Sequence, residues 1–261
     1  MTARPLAAAA LAAALLTATA TGCAQSVDPI ERLGRKAAHA ARQAARTHSP
    51  AGDTHAYRRW GLPSPLPPAP SSPSPRPHLR AAGPGLPPVV DHVPTHDKVV
   101  FLTYDDGAER DPRFVDLVRE LRLPVSVFLT DSVVGPGYAH FARLRQVGAN
   151  VQNHTLDHQP LQGLPYAGQR AEICGQQDKL RERFGLRPRL FRPPYGTYDP
   201  TTLRAAGDCG ISAVVLWTKG QNPLRPGDIV PVGPPLVERT VSLLRQVQNR
   251  GLKVARLEDY L

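Results

Sequence analysis

The chain has 261 residues and a formal net charge of +10, with 32 Lys and Arg against 22 Asp and Glu, 29 prolines and 3 cysteines. This leaves room for one sizeable core beside a compositionally biased segment. The sequence also carries no Gly-rich phosphate loop, dinucleotide fingerprint, haem signature or Ser or Cys nucleophile constellation.

Met1-Thr2-Ala3-Arg4, an apolar run over 6–16 and then Ala20-Thr21-Gly22-Cys23 have the layout of a secretory signal. The apolar run is too short to stay as a membrane span. A cysteine directly after small residues points to a lipoprotein-type signal over 1–22, with Cys23 lipidated and holding the mature chain on the outer face of the cytoplasmic membrane. An ordinary cleaved signal and a secreted product is the alternative. Residues 23–94 read as a basic, Pro-rich, disordered linker. Residues 30–46 are rich in Ala and Arg and form at most a marginal helix, and twelve prolines follow between 62 and 94. Such a stretch favours polyproline II and spans on the order of 100 Å. Before Thr95 there are 10 basic and 4 acidic residues, against 22 and 18 from there on. A basic arm suits anionic headgroups or acidic wall polymers, or it is merely solvated. The export signal and the lack of a nucleic-acid-binding motif argue against nucleic acid as a partner.

From 95 to 261 short apolar runs alternate with helical segments, the pattern of an α/β domain. Strands are expected over 99–103, 125–129, 149–152, 189–191, 211–217, 228–232 and 253–257. Helices are expected over 111–121, opened by Asp111-Pro112 as cap and first turn, over 137–147, 169–184, from Asp199-Pro200 onward, and over 236–249. Seven strands alternating with helices predict an irregular (β/α) barrel, whose reactive residues belong at the C-terminal ends of the strands.

Three blocks fall at such ends: Thr103-Tyr104-Asp105-Asp106-Gly107, Asn153-His154-Thr155-Leu156-Asp157-His158 and Arg192-Pro193-Pro194-Tyr195-Gly196. Asp-Asp-Gly alone reads equally well as a strand-ending turn. His154 and His158, spaced i and i+4, share one side if their segment is helical. A carboxylate and two imidazoles make three ligands for a divalent ion. They leave one coordination position for water and one spare carboxylate beside it. Zinc suits these donors best, and Co²⁺, Ni²⁺ and Mn²⁺ are compatible with them. His140 reads as a surface histidine.

These blocks, in this order, resemble the first three motifs of the polysaccharide deacetylases, the NodB-like family also called carbohydrate esterase family 4. The resemblance spans roughly residues 95–261 and implies the same barrel. It implies Asp105 as catalytic base, Asp106, His154 and His158 as metal ligands, and Arg192 as the group that orients the base. It also implies that the Tyr195 backbone N–H helps hold the oxyanion. Pro193 and Trp217 are expected at the substrate, with Tyr198 beside them, and Trp217 is equally readable as a packed core residue. The implied substrate is an acetylated polysaccharide such as peptidoglycan or a chitin-like glycan, N-acetylated or O-acetylated. Two features depart from the family. The stretch 227–234, where the family carries a leaving-group histidine, has none, and no histidine follows His158. Residues 218–222, where the family places an aspartate, read Thr-Lys-Gly-Gln-Asn. A weakened acid step follows, or an inactive deacetylase-like glycan-binding protein, or an enzyme for small amides and esters. Cys174 and Cys209 lie in expected helices after successive strands. A disulfide between them and two buried free thiols are both open.

Overall fold

The computed structural model describes residues 55–70, 73, 77–220 and 222–261. The expected signal, the lipidation site Cys23 and the linker up to residue 54 lie outside the described residues. In chain order the elements are α1 (Ala56–Arg59), β1 (Val89–Val90), β2 (Val99–Asp106), α2 (Pro112–Leu121), β3 (Ser126–Leu129), α3 (Asp131–Val134) and α4 (Tyr138–Gln146). There follow β4 (Asn150–Asn153), α5 (Tyr166–Phe184), β5 (Leu190–Phe191), α6 (Pro200–Asp208), β6 (Ala213–Val215), β7 (Ile229–Pro231), α7 (Leu236–Asn249) and β8 (Lys253–Val254).

Every strand pairing is parallel, in the order β1-β6-β5-β4-β3-β2-β7, with β8 on the lower half of the β2 edge that β3 occupies above. The two outer strands approach each other. The Val93 N–H donates to the Gly227 carbonyl (2.9 Å) and the Thr218 N–H to that of Ile229 (3.0 Å), which draws the sheet into an irregular barrel. The strand β2 shows how the sequence builds it. Its period of two sends Val99, Phe101, Thr103 and Asp105 to one face and Val100, Leu102 and Tyr104 to the other. Val99 and Phe101 pack with Phe128, Leu190, Val215, Ile229 and Tyr260 inside the barrel. The opposite face packs under the helices, with Phe114, Leu117, Val118, Phe141 and Leu244. Burial on both faces explains its unbroken apolar run.

The helices begin and end where local chemistry sets them. The Asp111 side chain accepts the Arg113 N–H at 2.8 Å and Pro112 opens the first turn of α2, which stops at Arg122 in the left-handed region (φ 51°). Asp199 and Thr202 form a reciprocal capping box on α6. The disulfide Cys174–Cys209 joins α5 to α6, with Cα atoms 5.0 Å apart.

Three expectations need correction. Among the described residues there are eight strands, because β1 lies at Val89–Val90, inside the Pro-rich stretch, and pairs with Val214 and Val215 of β6. The expected linker up to 94 is therefore not structureless where it is described. Its residues 55–66 lie on the barrel, with Leu62 buried and the Trp60 indole N–H donating to Glu120 (2.8 Å). His140 is buried beside Phe141, not on the surface, because it falls one turn before Leu144 on the inner face of α4.

Candidate active site

Asp105 and Asp106 end β2, and each points a different way. Asp105 continues the inward series of the strand, and Arg192, one residue after β5, meets it from across the barrel with Nη1 to Oδ1 at 2.6 Å. Arg192 is wholly buried. Nη1 also donates to the Thr103 hydroxyl (2.9 Å), Nη2 to the Leu216 carbonyl (3.0 Å) and Nε to the Val215 carbonyl (3.3 Å), while the guanidinium lies 4.3 Å from the centre of the Phe128 ring. A planar, permanently charged fork with five donors satisfies all of these at once. Thr103 was not foreseen as part of this site, because a threonine in a strand gives no signal beyond β-propensity.

Asp106 turns the other way, at φ 67°. Its Oδ1 lies 3.2 Å from His154 Nε2 and 3.1 Å from His158 Nε2. Yet it is buried without a hydrogen-bond partner among the described residues, so the three atoms converge without being aligned to bond one another. One ligand atom from each of the three residues lies within 4.8 Å of the others. The imidazole of His154, then that of His158, holds the Asp106 carboxyl below its ordinary range against the opposing effect of burial. Burial, with the neighbouring His154, pushes His158 below the usual imidazole value, and the two aspartates oppose it. His154 Nδ1 is 2.7 Å from the Arg192 carbonyl, which can only accept. Nδ1 therefore carries a hydrogen, which leaves Nε2 as the ring nitrogen available to a ligand beside Asp106. An orphaned carboxylate oxygen and two imidazole nitrogens converging on one point fit a divalent cation.

The histidine segment is not a helix. Its turn depends on Thr155 (φ 72°) and His158 (φ 57°) in the left-handed region, so the i, i+4 spacing converges through a loop. Side chains hold that loop. Asn153 Oδ1 accepts the Thr155 N–H (2.9 Å), the Thr155 hydroxyl accepts the His158 N–H (3.1 Å), and the buried Glu172 of α5 accepts the Asp157 N–H (2.9 Å). Asn153 and Glu172 were also missed by sequence reasoning. Among the described residues, four of the five non-glycine residues with positive φ are Asp106, Thr155, His158 and Tyr195, a concentration of backbone strain at one place.

Tyr195 sits in a 3-10 turn, Pro194–Gly196, at φ 60°, with its ring 4.9 Å from that of His158 and 62% of its surface exposed. Trp217 is half-buried and packs against Gly196, where an added Cβ would lie 2.8 Å from the indole; its ring is 5.9 Å from the Arg192 guanidinium. Tyr198 packs partly buried against the Leu161 and Phe191 cluster. Pro193, expected at the substrate, is buried. Gly233 lines the cavity beside Asp105 and Asp106, and no imidazole lines it there.

With this geometry in hand, comparison with known proteins is specific. The family described as polysaccharide deacetylase matches residues 92–214. An uncharacterized protein of Streptomyces coelicolor is 62% identical over 194 residues, covering 67% of this chain and 78% of that one. The peptidoglycan-N-acetylglucosamine deacetylase of Bacillus cereus is 27% identical over 138 residues, covering 50% of this chain and 62% of that one. The chitin deacetylase of Colletotrichum lindemuthianum shares the fold, with a TM-score of 0.61 at 20% identity over 67% of this chain and 92% of that one. The chain belongs to the polysaccharide deacetylase family, the NodB-like carbohydrate esterases of family 4.

Proposed function

We propose that the chain is an exported, metal-dependent hydrolase that removes acetyl groups from a cell-wall or related polysaccharide. The observation that supports it best is the convergence of the orphaned Asp106 Oδ1 with two imidazole nitrogens, next to a second aspartate locked by a buried arginine. Asp106, His154 and His158 would hold the ion, with zinc the expected metal. A divalent ion held there supplies Lewis-acid polarisation of an acyl carbonyl and lowers the pKa of water.

The protein's own residues do the rest. Asp105 takes a proton from the attacking water, and Arg192 fixes the orientation of that carboxylate. The His154 Nδ1–H bond to the Arg192 carbonyl couples the base-orienting residue to the ligand set. The Tyr195 N–H is the donor proposed for the developing oxyanion. With glycine at 233, Asp105 itself returns the proton to the departing nitrogen. Losing a separate positioned acid lowers the rate by about 10² to 10⁴. An O-acetyl leaving group needs that proton less. Peptidoglycan and chitin-like glycans are the polymers in view, since relatives named for each are in the family. Lipidation at Cys23 would place the enzyme at the membrane surface.

Acetate release from acetylated chito-oligosaccharides, peptidoglycan and acetylated xylan by the zinc-loaded protein tests this reading. The expected result is release that falls at least 10²-fold in Asp105→Asn while bound zinc stays at one per chain. Equal release by that variant removes Asp105 from the mechanism. Glycan binding without release on any substrate favours the inactive binding protein, for which the absence of an imidazole at Gly233 is the supporting observation.

A further inference from the structure

Beside the ligand cluster an apolar cavity of about 160 Å³ begins at Asp105, Asp106 and Gly107 and descends between the sheet and the helices. Its floor is Phe114 of α2, Val127 and Leu129 of β3, and Phe141 and Leu144 of α4, all buried. The Tyr104 hydroxyl in its wall is already bonded to Thr240 at 2.9 Å. Charged groups, Asp105, Asp106 and Glu109, are found only towards its mouth. Glu109 joins the two lips, its carboxylate oxygens accepting the Leu236 N–H at 2.9 and 3.1 Å. A polar mouth over an apolar floor suits a ligand with a polar head and a hydrocarbon tail.

The size is more than an acetyl group needs. A dry cavity of about 150 Å³ lined by such residues takes up benzene, a molecule of six carbons, whereas an acetyl methyl is one carbon. Two glycines shape the opening. At Gly107 (φ 89°) a Cβ would lie 2.7 Å from Val134 and 3.0 Å from Phe141, so a side chain is excluded there. At Gly233 the backbone is ordinary and a Cβ would meet nothing within 4 Å, so that side of the mouth is open space.

We infer that this cavity is an acyl-tail site, and that the preferred substrates are N-acylated amino sugars whose acyl groups have four to six carbons. This rests on the hydrolase reading above and changes the acid released. The acyl carbonyl lies at the ligand cluster and the tail descends past Gly233. Water oxygen bonds to the acyl carbon, the C–N bond breaks and the sugar nitrogen takes a proton. The carboxyl proton then passes to the amine, leaving butanoate or hexanoate.

Chitobiose N-acylated with acetyl, butanoyl or hexanoyl groups tests this on the zinc-loaded full chain, with amine release followed and binding of the same three ligands measured by calorimetry. Each buried methylene is worth about fourfold. Butanoyl should therefore exceed acetyl at least tenfold in kcat/KM, mostly through KM, because tail contacts are alike in ground and transition states. Gly233→Leu should lower the hexanoyl-to-acetyl ratio at least tenfold, and Ala108→Phe, at an exposed position on the other lip, should lower it in the same direction. Acetyl cleaved as well as the longer groups, or a ratio unchanged in both variants, overturns the inference and leaves the hydrolase reading standing. If no ligand is cleaved, that reading falls and calorimetry decides the cavity. Hexanoyl binding at least tenfold tighter than acetyl, lost in Gly233→Leu, upholds it, and equal affinities overturn it.

Discussion

Arg192 carries a charge into the barrel with no solvent on it, and it does so because Asp105, Thr103 and two carbonyls were placed to receive its donors. Lysine keeps the charge but has three donors on a flexible stem, and it cannot span this set. Arg192→Lys should lower stability by on the order of 3 kcal/mol, the scale of breaking a buried pair, and it should lower turnover more than Michaelis binding because the base loses its orientation. A urea titration and a kcat/KM split check both. The metal ligands call for a different measurement. An ion that binds only the folded chain stabilises it by about 2.7 kcal/mol at one hundred times its dissociation constant. Zinc should therefore raise the melting temperature of the wild type and of Asp105→Asn, but not of Asp106→Asn, whose amide replaces the oxygen on which both imidazoles converge. A zinc shift of full size in Asp106→Asn would remove that residue from the ligand set.

Among the elements, α4 carries a titratable group that the chemistry does not use. Both ring nitrogens of His140 are buried without a hydrogen-bond partner among the described residues. Burial, with Arg143 and Arg110 adding, pushes its imidazole below the ordinary value. Protons then bind the unfolded chain first as pH falls through about 6.5, so stability present above that pH is lost below it. His140→Phe should flatten this part of the stability-against-pH curve relative to the wild type, measured by denaturant midpoints between pH 5 and 8. An unchanged slope would show that His140 is not the source. The pair α5 and α6 makes a second prediction. Removing a crosslink across 35 residues costs about 3 to 4 kcal/mol by loop entropy, so Cys174→Ala with Cys209→Ala should melt markedly lower. These elements also show what the sequence made legible. The blocks around Asp105, His154 and Arg192 could be read because their donors cluster in a few residues at strand ends. The buried face of α5 could not, because Gln169, Glu172, Gln176 and Gln177 outnumber Ile173 and Leu180 on it. Their role is to bond the Leu129 and Pro188 carbonyls and the Asp157 N–H, which apolar periodicity does not register. His140 could have been placed inside, since it lies four residues before Leu144 on one face.

On the scale of the whole molecule, the boundary of the folded unit differs most from what composition suggests. Twelve prolines between 62 and 94 read as spacer, and the pair Val89–Val90 among them gives no periodicity to detect. Yet β1 completes the order of the sheet, and residues 55–66 lie within the same compact unit, Ala51–Leu261. They are held by specific contacts. Arg59 pairs with Glu120 (2.6 Å), Arg245 donates to the Gly61 carbonyl (2.9 Å) and Gln248 to the Ser64 carbonyl (2.7 Å). The exposed ion pair contributes little, about 0 to 1 kcal/mol, whereas burying a leucine such as Leu62 is worth about 1.5 to 3 kcal/mol. Cutting at two places separates these contributions. A chain starting at residue 88 keeps β1 and loses the strap on α2 and α7, so it should unfold at lower urea by about 2 to 3 kcal/mol with the ligand cluster intact and zinc still bound. A chain starting at residue 95 also loses Val89 and Val90, leaving the β6 edge without its partner and the barrel without the Val93 to Gly227 closure. An unpaired edge next to Val214 and Val215 is a template for association between chains. That chain should aggregate or fail to bind zinc. If it instead melts cooperatively at the same urea concentration as the chain from residue 51, the prolines are spacer after all and β1 contributes nothing to the barrel.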